Sequence, residues 1–143
     1  MIGHHISIRT SDIHQAIAFY ECLGFSMEER FTAGITLACW LKGDAGRLEL
    51  IQIPEPKPAP DAFHDEHYVG YYHLALDLTP VLKAAQSLRQ WLDTFRTTME
   101  GKGIPTKVLL YPHSQQIGEK TYDVAFITDI DGLPIELLHQ KRS

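Results

Sequence analysis

Hydrophobic and polar residues alternate along two separate stretches of the chain, and each stretch leads into a helical pattern. In residues 2–10 the even positions are mostly apolar and the odd positions are polar, which predicts a half-buried strand. Ser11 and Asp12 can cap a helix that begins near Ile13, and Gly24 suits its left-handed end. Further strands are predicted near 25–31, 35–42 and 47–53. The first part of the chain is therefore interpreted as a β-α-β-β-β unit.

The same order of elements returns in the second part of the chain. Alternation restarts at Tyr71, and Thr79 followed by Pro80 predicts the start of a second helix. Apolar residues spaced four and three apart predict a core stripe along this helix, formed by Val81, Ala85, Leu88, Leu92, Phe95 and Met99. The helix should end near residues 101–103. Strands are then predicted at 106–111, 121–128 and 133–139, which gives a second β-α-β-β-β unit.

A change of composition separates the two units. A proline stands at every second position from Pro54 to Pro60, so this stretch cannot pair as a central strand and is typical of a semi-rigid linker. We expect one domain, residues 1–143, built from a first module at 1–53, the proline-rich linker at 54–69 and a second module at 70–143. The predicted fold class is α+β, with paired modules that form a curved, mostly antiparallel sheet.

Composition and charge exclude several classes of function. The chain is 44% hydrophobic and 22% charged, which is typical of a globular domain. A net charge of −5, with no basic run, argues against a nucleic-acid partner. No apolar stretch is long enough to span a bilayer or to serve as a signal peptide, and two cysteines cannot form a disulfide framework. We therefore expect a cytoplasmic protein that binds neither nucleic acid nor membrane.

A histidine and a glutamate recur at equivalent places in the two units. His5 and His73 each lead a strand, while Glu49 and Glu136 each lie between apolar residues that should face the core. Alternation assigns His4 to the helix-packing face and His5 to the opposite face. All four residues are thus expected on a concave face of the sheet. They could be ordinary solvated strand residues, but the repetition favours one divalent metal site, which two imidazoles and two carboxylates suit well.

Four segments of the chain resemble the vicinal oxygen chelate superfamily, which includes glyoxalase I, bleomycin-resistance proteins, fosfomycin-resistance enzymes and extradiol dioxygenases. These segments are HISIRTSDIHQAIAFYECLGF, LELIQIP, HLALDL and DIDGLPIELL. The resemblance implies paired modules around a metal ion on a concave sheet face, in a homodimer. It also implies that His5, Glu49, His73 and Glu136 correspond to the metal ligands of bacterial glyoxalase I. Arg9 would correspond to the arginine that binds a substrate carboxylate.

Two departures from glyoxalase I concern the substrate. Ile53 stands where an asparagine is expected, and residues 69–72 contain no basic residue. The expected function is therefore a metal-dependent lyase or isomerase of the glyoxalase type whose small-molecule substrate, a glutathione conjugate or another compound, the sequence does not identify. The ion would chelate vicinal substrate oxygens, and Glu136, or else Glu49, would move a proton through an enediolate. Nickel, zinc, cobalt or manganese would serve.

Two alternative functions remain open. An extradiol-type Fe(II) dioxygenase would use His5, His73 and Glu136 as its two-histidine, one-carboxylate set, although Glu49 would then fill one open position. A bleomycin-resistance-like module would bind a small molecule without metal chemistry. Such a cleft is rich in aromatic residues, and the candidates are Trp40, Tyr71, Tyr72, Tyr111 and Phe126. Core packing is the more ordinary role for most of these residues.

Overall fold

The computed structural model describes residues 1–142, and Ser143, at the end of the predicted second module, lies outside the described residues. The chain divides into two compact units, Met1–Pro58 (unit 1) and Ala59–Ser143 (unit 2). The division falls within the predicted proline-rich linker. Each unit has the element order β-α-β-β-β, so the predicted α+β class with paired modules is confirmed.

Unit 1 consists of β1 (Ile6–Thr10), α1 (Ile13–Glu21), β2 (Ser26–Ala33), β3 (Thr36–Gly43) and β4 (Gly46–Gln52). Its sheet has the order β1-β4-β3-β2, with β1 parallel to β4 and the other pairs antiparallel. The carboxylate of Asp12 accepts hydrogen bonds from the first turn of α1, as its position predicts. Gly24 follows the helix with a φ of 97°, which explains the glycine at this position. The helix packs on β3 and β4 and covers one face of the sheet.

Unit 2 consists of β5 (Leu74–Asp77), α2 (Leu88–Gly101), β6 (Val108–Ile117), β7 (Lys120–Thr128) and β8 (Pro134–Gln140). Its sheet repeats the topology of unit 1, with the order β5-β8-β7-β6 and β5 parallel to β8. The strands therefore form two four-stranded sheets, one in each unit. No helix among the described residues is long and apolar enough to cross a membrane.

The second helix begins eight residues later than the sequence predicts. Its N-cap is Ser87, whose hydroxyl accepts a hydrogen bond from the backbone N–H of Gln90 at 3.1 Å. The Gln90 side chain in turn accepts from the backbone N–H of Ser87 at 2.9 Å, which completes a capping box. Thr79, predicted as the cap, instead accepts a hydrogen bond from the backbone N–H of Gln140 at 2.8 Å. Thr79 therefore joins the chain after β5 to the end of β8.

The predicted apolar stripe is confirmed where the helix exists and wrong upstream of it. The buried residues of α2 are Leu88, Leu92, Phe95 and Met99. Val81 and Ala85 precede the helix and are exposed. The spacing of apolar residues predicted too long a stripe because it shows periodicity alone. It does not reveal the capping box at Ser87 and Gln90, where the helix begins.

Strand β6 extends to Ile117, whereas the sequence predicted an end near residue 111. Pro112 makes the segment a poor candidate for a central strand, since proline cannot donate to a ladder. However, β6 lies at the edge of its sheet, and its pairing with β7 shifts register between Leu110 and His113. An edge position with an irregular register accommodates the proline, and the strand continues beyond it.

Replacing Ser87 by alanine tests the observed start of α2. The Ser87→Ala variant removes the acceptor for the Gln90 N–H, so the free energy of unfolding should fall by about 1 kcal/mol. Urea unfolding followed by far-UV circular dichroism measures this change. The Ser87→Asp variant keeps an acceptor at the cap and should stay close to the wild type. An alanine variant as stable as the wild type would contradict the assignment.

Candidate metal centre

The first histidine–glutamate pair lies on the face of the unit 1 sheet that α1 does not cover. Glu49 stands on β4 between Leu48 and Leu50, both buried in the core, so the alternation of the strand turns Glu49 to the other face. His5 directly precedes β1, the parallel neighbour of β4. Its Nε2 atom is 3.4 Å from Oε1 of Glu49, and the two side chains are 28% and 14% exposed. The structure thus brings these two predicted site residues together.

Two further side chains hold both oxygens of the Glu49 carboxylate. The Ser7 hydroxyl donates to Oε1 at 2.9 Å, and the indole N–H of Trp40 donates to Oε2 at 2.9 Å. Both donors lie opposite Glu49 in the strand register, Ser7 on β1 and Trp40 on β3. Burial raises the pKa of Glu49, but the two hydrogen bonds and the nearby histidines outweigh it, so its pKa lies below the usual glutamate value.

The prediction that His4 faces the helix is wrong. Its Nδ1 atom is 2.7 Å from Nδ1 of His5, and its ring packs edge-on against Trp40 with centroids 4.9 Å apart. Because β1 begins only at Ile6, strand alternation does not govern the orientation of the preceding histidine. Arg47 fixes this segment instead. Its Nη1 donates to the His4 carbonyl oxygen at 3.0 Å, while its Nε and Nη2 bind the Glu28 carboxylate at 2.6 and 3.2 Å.

The second histidine–glutamate pair repeats this construction in unit 2. Glu136 stands on β8 between the buried residues Ile135 and Leu137, and His73 directly precedes β5, the parallel neighbour of β8. The Nε2 atom of His73 is 3.6 Å from Oε1 of Glu136, and the side chains are 24% and 20% exposed. The equivalence predicted from the repeated sequence pattern therefore extends to the local geometry of each pair.

The surroundings of Glu136 differ from those of Glu49. Ala75 and Phe126 occupy the register positions opposite Glu136, and neither side chain can donate a hydrogen bond. The Phe126 ring packs edge-on against His73, with centroids 5.2 Å apart. Burial and then the negative charge of Glu136 raise the pKa of the neighbouring Tyr72 phenol above its usual value. The second carboxylate therefore lies among aromatic and apolar groups.

The donor atoms of each pair suit a metal ion better than a hydrogen bond. Separations of 3.4 and 3.6 Å exceed the usual N–H···O distance of about 2.9–3.0 Å. Two ligands bound at about 2.1 Å to one ion lie roughly 3.0–3.4 Å apart, a spacing that the first pair matches and the second slightly exceeds. Each pair offers one imidazole nitrogen and one carboxylate oxygen, a donor set that divalent transition metals accept. Within residues 1–142, no group of three or more His, Cys, Asp or Glu side chains is arranged to hold a metal ion. That the two pairs share one ion stays a prediction.

The remaining predicted site residues have varied environments. Arg9 lies on β1, two residues beyond Ser7 and hence on the same face, and its exposed side chain forms no ion pair among the described residues. Tyr71 is almost fully exposed. Tyr111 contacts the guanidinium groups of Arg89 and Arg96, both on α2. Of the candidate aromatic residues, the three that lie beside the pairs are Trp40, Tyr72 and Phe126.

Sequence reasoning missed the two hydrogen-bond donors to Glu49. Ser7 shares the odd-numbered face of its strand with His5, and this alternation could have indicated it. The sequence indicates Trp40 only as one of several aromatic residues that could line a cleft. Its position opposite Glu49 depends on the register of the β3–β4 hairpin, which the sequence pattern does not specify.

The Trp40→Phe variant tests the cause of the lowered pKa of Glu49. Ionised Glu49 stabilises the fold above the usual glutamate pKa, and this contribution disappears as the pH falls through the lowered value. Removal of the indole donor should raise the pKa of Glu49 in metal-free protein and reduce that contribution. Titration of the ¹³C carboxyl shift in the presence of a chelator measures the pKa. Trp91→Phe, which alters a ring stacked on Phe95 in unit 2, is the control. An unchanged pKa of Glu49 in Trp40→Phe would contradict this explanation.

The fold is shared with several solved structures of low sequence identity. A glyoxalase family protein from Bacillus cereus has 17% identity and a TM-score of 0.67, with 98% of this chain and 94% of that chain covered. A glyoxalase I variant from Zea mays has 18% identity and a TM-score of 0.66, with 96% of this chain and 44% of that chain covered. The fosfomycin resistance protein FosX from Listeria monocytogenes has 10% identity and a TM-score of 0.61, with 99% and 94% covered.

The sequence itself identifies the family. No curated protein matches the chain. A model of the glyoxalase/bleomycin resistance protein/dioxygenase superfamily matches residues 4–126, most of the chain. The match includes both histidines and the first glutamate of the two pairs. The chain therefore belongs to the glyoxalase/bleomycin resistance protein/dioxygenase superfamily, the group of vicinal oxygen chelate proteins that its repeated segments resemble.

Proposed function

We propose that this protein is a metal-dependent lyase or isomerase of the glyoxalase type that acts on a small molecule. The observation that carries the proposal is the repeated pair of facing donors, His5 Nε2 with Glu49 Oε1 and His73 Nε2 with Glu136 Oε1. A chance pair of strand residues would not be expected to recur at the same place in both units with nearly the same separation.

The four residues of the two pairs would hold one divalent ion, with nickel, zinc, cobalt and manganese as candidates. When bound, the ion supplies a Lewis acid that stabilises negative charge developing on two neighbouring substrate oxygens, as in an enediolate. Partly exposed side chains allow both loading of the ion and access of a substrate. The exposed guanidinium of Arg9, on the same face of β1 as Ser7, would bind an anionic group of that substrate.

In the proposed reaction, Glu136 accepts a proton from the substrate carbon next to a carbonyl group. In an isomerisation it returns this proton to the neighbouring carbon while the hydroxyl proton passes from one substrate oxygen to the other, and in an epimerisation it returns the proton to the same carbon. Glu136 is suited to this role because Ala75 and Phe126, the residues opposite it in the strand register, have no donor group in their side chains. The rings of Phe126 and Tyr72 beside His73 form an apolar wall on this side of the pair. The proton leaves and returns within one substrate molecule, so the isomerisation needs no oxidant or reductant.

The substrate need not be a glutathione conjugate. Ile53 offers no amide at the position where glyoxalase I has an asparagine, and Val69 is fully exposed in a segment without a basic residue. These departures remove two of the polar contacts that the resemblance associates with glutathione, while both donor pairs are retained. A hemithioacetal of another thiol, an acyl thioester or a small dicarbonyl compound would each present the required vicinal oxygens or an acidic carbon next to a carbonyl.

A second candidate function is the binding of an aromatic small molecule without metal chemistry. It is favoured by one observation: Trp40 and Phe126 lie at equivalent register positions, each next to a histidine. Stacking on such rings would bind a planar ligand. Metal dependence separates the two candidates, because ligand binding by this module would be unchanged after the metal is removed. Oxygen uptake with catechols after anaerobic iron loading would instead support the dioxygenase alternative.

The proposal includes a homodimer, in line with what the resemblance implies. Large apolar side chains are almost fully exposed at Ile35, Val69 and Tyr71, and an interface that covered them would remove apolar surface from water. Light scattering during size-exclusion chromatography measures the mass in solution. A mass of about twice 16.2 kDa supports the dimer, and a monomer mass contradicts it.

Replacement of Glu136 tests the proposed chemistry. The metal-stripped protein should be inactive toward a panel of hemithioacetals and epimerisable thioesters, and nickel, cobalt, zinc or manganese should restore turnover. The Glu136→Gln variant keeps the size of the side chain but cannot accept the proton, so kcat should fall about 10²–10⁴-fold. Glu119→Gln, in the exposed turn between β6 and β7, is the matched control. Full activity of Glu136→Gln would refute the proposal.

A further inference from the structure

We propose that Ser7 and Trp40 are positioning residues that divide the work between the two glutamates. They hold Glu49 in one orientation, as a fixed ligand, while the absence of donors at the equivalent positions leaves Glu136 free to change rotamer and reach the substrate. This inference rests on the proposed function, since it explains why one carboxylate binds and the other also moves a proton.

Glu49 and Glu136 occupy equivalent positions in the sheets of the two units. In the parallel pairs, Ser7 lies opposite Glu49 and Ala75 lies opposite Glu136. In the antiparallel pairs, Trp40 lies opposite Glu49 and Phe126 lies opposite Glu136. Both positions flanking the glutamate therefore carry a donor in unit 1 and a side chain without a donor in unit 2. The backbone arrangement is the same, so the side chains alone account for the difference.

The two carboxylates lose different contacts when they rotate. A change of the Glu49 rotamer breaks the Ser7 bond to Oε1 and the Trp40 bond to Oε2, both 2.9 Å long. Hydrogen bonds to an ionised carboxylate are among the stronger ones in proteins. Among the contacts of residues 1–142, rotation of Glu136 gives up the 3.6 Å approach to His73 and no hydrogen bond to a side chain opposite it in the register. Glu49 is therefore expected to keep one conformation and Glu136 to populate several.

The two states suit two roles. A ligand gains affinity when neighbouring groups hold it in the orientation that it needs for binding, and loss of such groups typically weakens metal binding 10–100-fold. A carboxylate that transfers a proton must instead approach the substrate carbon and carry its proton between two sites. A carboxylate bonded at both oxygens is poorly suited to this movement. The structure thus assigns binding to Glu49, and both binding and proton transfer to Glu136.

The first experiment measures side-chain order directly in the metal-free protein. Relaxation of the ¹³C-labelled glutamate methylene groups should show a higher order parameter for Glu49 than for Glu136. Ser7→Ala and Trp40→Phe should each lower the order parameter of Glu49 toward that of Glu136. Ser7→Thr, which keeps the hydroxyl, should leave the order parameter of Glu49 close to the wild-type value. Trp91→Phe should leave Glu49 unchanged. Equal order parameters for Glu49 and Glu136 in the wild type would overturn the inference. An order parameter of Glu49 that changes in neither Ser7→Ala nor Trp40→Phe would also overturn it.

The second experiment transfers the donors to unit 2. The Phe126→Trp and Ala75→Ser variants offer Glu136 the groups that hold Glu49, so kcat should fall about tenfold or more with little change in KM. Trp40→Phe and Ser7→Ala should instead weaken metal binding about tenfold, measured by calorimetry. Unchanged kcat in both unit 2 variants, with donors shown by NMR to bind Glu136, would also overturn the inference.

The outcomes separate this inference from the proposed function. A wild-type protein that binds no divalent metal would refute the proposed function, while the order parameters of the metal-free protein would still decide whether Ser7 and Trp40 hold Glu49. Metal binding and turnover by the wild type, together with equal order of the two glutamates, would refute the inference alone.

Discussion

The parallel pairing of the first and last strands in each unit is the constraint on which the candidate site depends. It places Ser7 opposite Glu49 and Ala75 opposite Glu136, so that each histidine lies two residues before the position opposite its glutamate. Each imidazole Nε2 then lies 3.4 or 3.6 Å from a carboxylate oxygen of its glutamate. Helices α1 and α2 pack on their own sheets and bury the residues beside each glutamate. The remaining face of each sheet is left to the polar pair.

Much of this arrangement could be predicted because alternation and repetition are local properties of a sequence. Alternation reports which face a strand residue occupies, and it correctly turned Glu49 and Glu136 away from the core. It failed at His4 because that residue precedes β1, where Arg47 and Trp40 determine the orientation. It also overextended the helical stripe to Val81, since periodicity does not detect the cap at Ser87. These two predictions failed at the residues that precede the start of an element.

The contacts around the glutamates could not be predicted, because they depend on the register between strands. Trp40 reaches Glu49 only because the hairpin closes with Gly43 opposite Gly46, and Gly46 adopts a φ of 115°. A shift of this register by one residue would move the indole to the other face of the sheet. The equivalent register in unit 2 places Phe126 opposite Glu136, and its ring has no hydrogen-bond donor. The asymmetry of the site thus arises from side chains placed on two equivalent backbones.

Family membership and fold leave the reaction open, since proteins with this fold include glyoxalase I and a fosfomycin resistance protein. The choice among reactions depends on the donor atoms and on the residues that hold them. A carboxylate held by Ser7 and Trp40 is well suited to permanent ligation, and a carboxylate beside Phe126 is better suited to movement. In the proposed reaction one carboxylate stays a ligand while the other moves a proton, so the two must differ although their backbones are equivalent. The loss or gain of two hydrogen-bond donors is sufficient to create that difference without any change in the backbone.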